Sequence, residues 1–254
     1  LVALLADVDL DLPGLRKLTL HVGDDGAMLA ALEVEGVEPP ELAVDFPISV
    51  AIVLPDRTAA TLIGDSYVVQ QVHGRDFRVS AGSDFRLSPA GAAQVVDAVL
   101  RYANLSGTER VLELYSGVGL LTAFLAANAA VVAAVEVNAD AVADTAVNLA
   151  DLDNVYLYED WVEQALPEIE LTPPPALTVV NPPDKGLSAD ALAAVLDVAA
   201  PRLIYVSSDV ATLARDGKQL RRGGYRLLEV QPIDTRPQTY HVETVSVWEL
   251  AGAK

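Results

Sequence analysis

The sequence predicts an α/β protein: a doubly wound, mostly parallel sheet of seven strands ending in an antiparallel hairpin, preceded by a small, mainly β domain. Three observations carry this. From Pro89 on, β-branched runs alternate with helical periods, the pattern of a parallel sheet covered on both faces. The last two strand-like runs follow one another with only a short loop between, which makes them antiparallel neighbours. Before residue 81, short strand-like runs are broken by Asp24-Asp25-Gly26, Pro55-Asp56 and His73-Gly74, with almost no helical signal.

In chain order, strands are expected over 18–22, 27–34, 48–54, 61–63, 67–72 and 77–80. A helix over 89–102 opens at Ser88, a good N-cap followed by proline in the first turn. Then come strand 111–115, helix 120–127, strand 130–135, helix 139–150, strand 155–158 and a short helix 161–166. Strand 177–180, helix 189–199, strand 202–206, helix 210–221 and strands 225–233 and 239–250 complete the series. The domain boundary is expected between residues 83 and 84.

Composition removes several classes of function. The 254 residues are 52% hydrophobic, too apolar for a disordered chain. Cysteine is absent, so disulfides, thiolate metal sites and a cysteine nucleophile are excluded, and no metal site is expected. The stretch Leu114–Val135 is uncharged, but Gly117, Gly119 and Asn128 interrupt it, and strand–turn–helix–strand fits better than a membrane span. No basic residue precedes the apolar start Leu1–Leu5, so no signal peptide is expected, and a soluble, cytoplasmic chain is.

Net charge of −19 opposes binding to nucleic acid, which draws on lysine and arginine. The charge is uneven. Between Glu109 and Asp197 the only bases are Arg110 and Lys185, whereas Arg202–Arg236 contains Arg215, Lys218, Arg221, Arg222 and Arg226. Any RNA contact is therefore expected along that second region, and a protein partner stays open.

The strongest local signal is Val111–Gly119, an apolar strand running into a glycine turn at the start of a helix. Gly117 and Gly119 let the backbone approach a ligand closely. About seventeen residues past Gly119, Glu136 ends the next strand, where a carboxylate can accept hydrogen bonds from ribose hydroxyls. Asp160 follows the third strand. Thr122 stands where a dinucleotide fingerprint would have its last glycine, and Glu113 is an acid in an otherwise apolar strand. Together these resemble the acid-x-x-x-G-x-G pattern of class I methyltransferases, a Rossmann-like fold whose cofactor is S-adenosylmethionine. The resemblance implies a cofactor site of Glu113, Tyr115, Ser116, Gly117, Gly119, Glu136, Asp160 and Asn181.

Longer runs narrow the family. Leu114–Gly119, Asn181–Gly186, Tyr205–Asp216, Gly224-Tyr225 and Pro232–Glu243 are similar, in order and spacing, to motifs of the RNA 5-methyluridine (uracil-5) methyltransferases. The similarity runs from about Asp84 to the C-terminus. The β-rich start fits that family's central domain, and the resemblance implies an RNA-binding barrel before Leu1. In the family a cysteine adds to carbon 6 of uracil so that carbon 5 can attack the methyl group, and a carboxylate then removes the carbon 5 proton.

The cysteine position here is Ser208, and the base position is Glu243. Asn181 and Asp184 replace the family's Asp and Arg, and Arg86 and Ser88 replace Gln and Asn. Ser208, Glu243 and Asn181 are the expected catalytic positions, with Arg86 and Arg215 on the substrate side. Serine is a far weaker nucleophile than a thiol without an adjacent base. Cofactor binding is therefore expected to persist while 5-methyluridine formation is not. Three activities stay open: an RNA methyltransferase of this lineage, a catalytically silent cofactor-binding homologue, and an amine methyltransferase using Asn181-Pro182-Pro183.

Overall fold

Alternating inward-facing apolar residues build a four-stranded sheet, a seven-stranded sheet and a two-stranded hairpin, which a computed structural model describes over residues 14–35, 46–55, 58–85, 87–236, 238–239 and 241–252. The chain forms two compact units: residues up to Val69 with Ser80–Gly82, and Gln70–Val79 with the residues from Ser83 onward.

The smaller unit is a four-stranded sheet of β1 (Leu15–Val22), β2 (Met28–Val34), β3 (Ser49–Val53) and β4 (Ala59–Ile63), paired in that order. β1–β2 and β3–β4 are antiparallel, and β2–β3 is parallel. The turn joining β1 to β2 is fixed by Gly26 at φ +83 and by Asp25, whose carboxylate accepts from the Ala27 amide at 2.9 Å. Leu32, Val34, Val50 and Ile52 form its core.

A hairpin follows, β5 (Tyr67–Val72) and β6 (Arg75–Ser80), turning through His73 and Gly74, both at positive φ. Expected within the small domain, its residues 70–79 instead belong to the larger unit. The reason is packing: Val72 and Phe77 are buried in the larger unit's core.

That unit contains helices α1 (Pro89–Ala103), α2 (Leu120–Ala126), α3 (Ala139–Asn148), α4 (Val162–Glu168), α5 (Ala189–Val198) and α6 (Val210–Arg222). They alternate with β7 (Arg110–Leu114), β8 (Val131–Glu136), β9 (Val155–Glu159), β10 (Leu177–Val180) and β11 (Arg202–Ser207), and β12 (Tyr225–Ile233) and β13 (Glu243–Leu250) close the chain. The seven strands pair in the order β12-β13-β11-β10-β7-β8-β9. β7 to β11 are mutually parallel, and β13 runs antiparallel between β11 and β12. This is a Rossmann-like sheet, parallel throughout except for its antiparallel edge hairpin.

Period-two alternation separates the two faces. Val111, Val132, Val179, Ile204, Val206, Val245 and Val247 pack with α1 and α2, while Leu112, Leu114, Val135, Val180, Leu203, Tyr205 and Trp248 pack with α4, α5 and α6. Helix starts are capped as their sequences require: Ser88, Asn138, Ser188 and Asp209 each accept a backbone N–H with the side chain. No helix among the described residues is long and apolar enough to cross a membrane.

Several boundaries differ from expectation by up to three residues, as at β1, which begins at Leu15 and not at residue 18, and one differs by more. β13 begins at Glu243, not at residue 239. Thr239 is spent on a turn, its amide and hydroxyl both donating to the Arg236 carbonyl, and Gln238 stands at φ +66. β12 and β13 are thus joined by a longer connection than the sequence suggested.

The strand order reverses between β7 and β10, so the loops after these strands diverge and leave a crevice at their C-terminal ends. The site sits there. Packing on the far side is tight: a Cβ on Gly217 of α6 would lie 2.7 Å from Cη2 of buried Trp248. Gly217→Ala, which would stabilise an exposed helix by about 1 kcal/mol, is expected here to destabilise by about 1–3 kcal/mol. A lower urea midpoint at unchanged slope is the check, and an unchanged or raised midpoint contradicts the packing account.

Candidate cofactor and methyl-acceptor site

The bend after β7 is made by three left-handed residues. Tyr115 (φ +62), Gly117 (φ +57) and Gly119 (φ +83) reverse the chain into α2. A tyrosine in this conformation costs about 1–2 kcal/mol, strain of the kind that gathers at functional sites. Gly119 also meets a space limit, since a Cβ there would lie 3.1 Å from Thr145 and 3.2 Å from Leu149. Gly117 faces open space instead.

Glu136 holds this bend. Its Oε2 accepts from the Gly117 amide at 2.9 Å, and its Oε1 accepts from the amides of Val137 and Asn138 at 2.9 and 2.8 Å. A carboxylate has about four acceptor positions, so one side remains for further donors. The Asp160 amide donates to the Glu136 carbonyl at 3.1 Å, and Asp160 Oδ1 accepts from the Trp161 amide at 2.8 Å. Tyr115, Val135, Glu136, Val137, Asp160, Trp161 and Val162 line one groove. The Trp161 indole is 54% exposed on its rim.

Glu113 lies beneath, 1% exposed, on the β7 face that packs under α2. Burial pushes its carboxyl up to about 8, opposed by the Thr122 hydroxyl and reinforced by the charge of Glu136. Its Oε2 finds no hydrogen-bond partner, and neither does the buried Ser116 hydroxyl. Two unsatisfied buried polar groups flanking one bend are unusual and call for an explanation.

The second half of the site hangs on Asp216. This buried carboxylate accepts from the Tyr205 hydroxyl at 2.7 Å, the Leu187 amide at 2.8 Å and Arg215 Nε at 2.8 Å. Burial and the neighbouring Asp216 raise the Tyr205 phenol well above its ordinary value. Arg215 Nη2 donates onward to the carbonyls of Lys185 and Leu187 at 2.8 and 3.1 Å. Gly186, at φ +71, is pressed against this pair: a Cβ would lie 2.5 Å from Asp216 Oδ2. The guanidinium expected on the substrate side is thus a staple for the loop after β10.

That loop begins at Asn181, whose amide donates to the Leu114 carbonyl at 3.1 Å and whose side chain is exposed. Asp184, further along, accepts from the Ser208 hydroxyl at 2.5 Å. The two positions that depart most from the uracil-5 pattern are therefore partners. Ser207, the residue before Ser208, pairs with Thr244 across β11 and β13, and buried Glu243 is the first residue of β13. Arg86 lies outside the described residues.

Arg215 apart, several bases of the 202–236 region are engaged away from this site. Arg202 donates to the carbonyls of Tyr102 and Ala103, and Arg226 pairs with Glu249. Arg221 and Arg222 occupy the last turn of α6, about 18 Å along the helix from its start beside Ser208.

Sequence reasoning passed over Asp144, Thr145 and Asn148. All three are buried, and Thr145 Oγ1 and Asn148 Nδ2 donate to the carbonyls of Gly117 and Val118 at 2.8 and 2.9 Å. Polar residues at i, i+1 and i+4 on the inner side of an otherwise apolar helix were the available signal.

No family model matches the chain. Its sequence relatives include an uncharacterized RNA methyltransferase of Halalkalibacterium halodurans, 35% identical over 202 residues, covering 78% of this chain and 44% of the relative. Another from Bacillus cereus is 37% identical over 219 residues, covering 81% of this chain and 47% of the relative. The chain spans less than half the length of these relatives. Among solved structures, the Pyrococcus abyssi tRNA (uracil-54, C5)-methyltransferase in complex with S-adenosyl-L-homocysteine superposes with TM-score 0.69 at 22% identity, covering 94% of this chain and 60% of that one. The M. jannaschii tRNA m1G37 methyltransferase follows at TM-score 0.58 and 14% identity, covering 96% and 78%. At these identities the likeness is one of fold.

The raised Glu113 carboxyl makes stability depend on pH. Protonated in the folded state up to about pH 8, it contributes fully below its unfolded value near 4.5 and progressively less as pH rises toward 8. Folding free energy is expected to fall by up to about 4 kcal/mol between pH 5 and 9 from this group, and Glu113→Gln is expected to remove that fall. Equal pH slopes in the two proteins, by urea unfolding, would contradict the assignment.

Proposed function

We propose that this chain is the S-adenosylmethionine-binding, methyl-transferring part of an RNA methyltransferase of uracil-5 descent in which Ser208 does not act as a covalent nucleophile. The observation that supports it best is the bend at Tyr115–Gly119 closed by the Glu136 carboxylate.

The residues fit the cofactor. Glu136 has acceptor capacity left for a ribose hydroxyl, and the groove toward Asp160 and Trp161 offers a polar edge and an aromatic face to adenine. Buried Glu113 and Ser116, close to Gly117 in the chain, each keep an unsatisfied polar atom, and the side of Gly117 that a Cβ would take is open, which supports placing the amino-acid portion at this bend. When bound, the cofactor supplies an electrophilic methyl group on sulfonium.

The acceptor side supports a departure from the parent chemistry. The Ser208 proton is committed to Asp184. An alkoxide there would stand against a carboxylate, and like charge disfavours ionisation. Carbon 5 of uracil, without addition at carbon 6, is too weak a nucleophile to take the methyl group. Glu243, in the position of the base, would have no adduct to act on. A nitrogen acceptor is the second reading, favoured by Asn181, whose exposed side chain stands at the ends of β7 and β10. Such an acceptor attacks with its own lone pair and needs no covalent nucleophile.

Labelled S-adenosylmethionine and total RNA, followed by nucleoside analysis, are expected to give no 5-methyluridine. A methylated nitrogen would support the second reading, and cofactor binding without transfer to RNA would mark a silent homologue. Ser208→Cys tests the local cause directly, because the chain has no other cysteine to react. Its thiol is expected to titrate above the usual value of about 8.5, and Ser208→Cys with Asp184→Asn lower, as read from alkylation rate against pH. 5-Methyluridine made by the unaltered chain overturns the proposal. So does a Ser208→Cys thiol that ionises equally easily with Asp184 present or removed.

A further inference from the structure

The hairpin β5–β6 supplies none of the residues that line the cofactor groove, yet α3 ties it to the glycine bend. Asn148 makes the tie with one side chain. Its Nδ2 donates to the Val118 carbonyl at 2.9 Å and the Arg78 carbonyl at 3.0 Å, and its Oδ1 accepts from the Arg78 amide at 2.7 Å. One amide thus extends strand β6 sideways and reaches the backbone of the bend.

Neighbouring contacts reinforce both ends. On the hairpin side, Arg78 Nε lies 2.9 Å from Asp144 Oδ1, whose other oxygen accepts from Ser83 at 2.6 Å. Arg75 donates to the Asn148 carbonyl and to the Asp151 carboxylate. Phe77 and His73 pack on Phe124 of α2, with ring centroids 6.1 and 5.7 Å away. On the bend side, Thr145 holds the Gly117 carbonyl and, with Leu149, bounds the space beside Gly119.

We propose that Asn148 is a positioning residue through which the β5–β6 hairpin and the cofactor-binding bend stabilise one another. Gly117 and Gly119 permit many conformations, and the hydrogen bonds from Thr145 and Asn148 select the one in which Gly117 meets Glu136. The hairpin in turn orients Asn148, because both of its backbone bonds to Arg78 require the side-chain amide to lie in the plane of strand β6. Coupling of this kind is reciprocal: whatever steadies the hairpin tightens cofactor binding, and bound cofactor steadies the hairpin. The inference rests on the cofactor reading for its ligand but not for its geometry.

The test is titration of the full chain with S-adenosylhomocysteine, followed by calorimetry, together with amide hydrogen exchange. Asn148→Ala and Arg75→Ala, neither in contact with the groove, are expected to weaken binding by about 2- to 30-fold, measured where unfolding shows each variant to be folded. In the unaltered chain the ligand is expected to slow exchange at the Arg78 amide, and in Asn148→Ala it is not. A merely structural Asn148 would lower stability while leaving affinity and this protection unchanged, and that result overturns the proposal. If Asn148→Ala does not fold, Arg75→Ala carries the same comparison. If the unaltered chain binds no S-adenosylhomocysteine, the cofactor reading fails, and the coupling is then read without ligand. Faster exchange at Gly117–Gly119 in Arg75→Ala supports it, and unchanged exchange there sinks it.

Discussion

A single hydrogen bond organises the functional end of the molecule: the Gly117 amide donating to the Glu136 carboxylate. It closes the turn between the first two parallel strands of the large sheet and fixes a backbone that glycine alone would leave loose. It also leaves a carboxylate at the mouth of the crevice with acceptor capacity to spare. Much of the surroundings answers to this contact. Tyr115 is driven into a left-handed conformation to reach the bend, Gly119 yields to Thr145 and Leu149, and Glu113 is trapped beneath without a full set of partners. One strained residue and two unsatisfied buried groups lie at this bend, where a ligand could relieve them.

The acceptor half is built on a different principle. Asp216 gathers Tyr205, Leu187 and Arg215 so that the loop after β10 has little freedom. That rigidity gives meaning to the contact between Asp184 and Ser208, since a loosely held aspartate would impose little on its neighbour. Two substitutions relative to the uracil-5 pattern have settled into one hydrogen bond. On the proposed reading, that bond stands where carbon 5 chemistry would need a thiol.

Local rules made most of the fold legible. Ser88, Asn138, Ser188 and Asp209 start helices because each can cap one, and residues of β7 and β8 alternate between two faces as their spacing requires. The start of β13 was missed because Thr239 and Val242 are good strand formers, whereas the turn at Arg236 is decided by contacts outside strand propensity. On the candidate site, the glycines, Glu136 and Asp160 stand out in the sequence because each lies at or just past a strand end, and the structure brings Gly117, Glu136 and Asp160 together. The role of Arg215 could not, because charge says nothing about whether a carbonyl cluster lies within reach. Asp184 and Ser208 are distant in sequence and meet only once β10 and β11 are side by side. Asn148 was invisible for the same reason, its partners Arg78 and Val118 being equally remote along the chain.

The central claim is that Glu136 both shapes the bend and receives the cofactor sugar. Calorimetric titration of Glu136→Ala against the unaltered chain with S-adenosylhomocysteine tests it most directly. Loss of charge-assisted hydrogen bonds from a ribose predicts saturable binding in the unaltered chain, weakened about 10- to 100-fold in the variant. Equal affinity in a folded Glu136→Ala, or no heat of binding in either protein, would contradict the account.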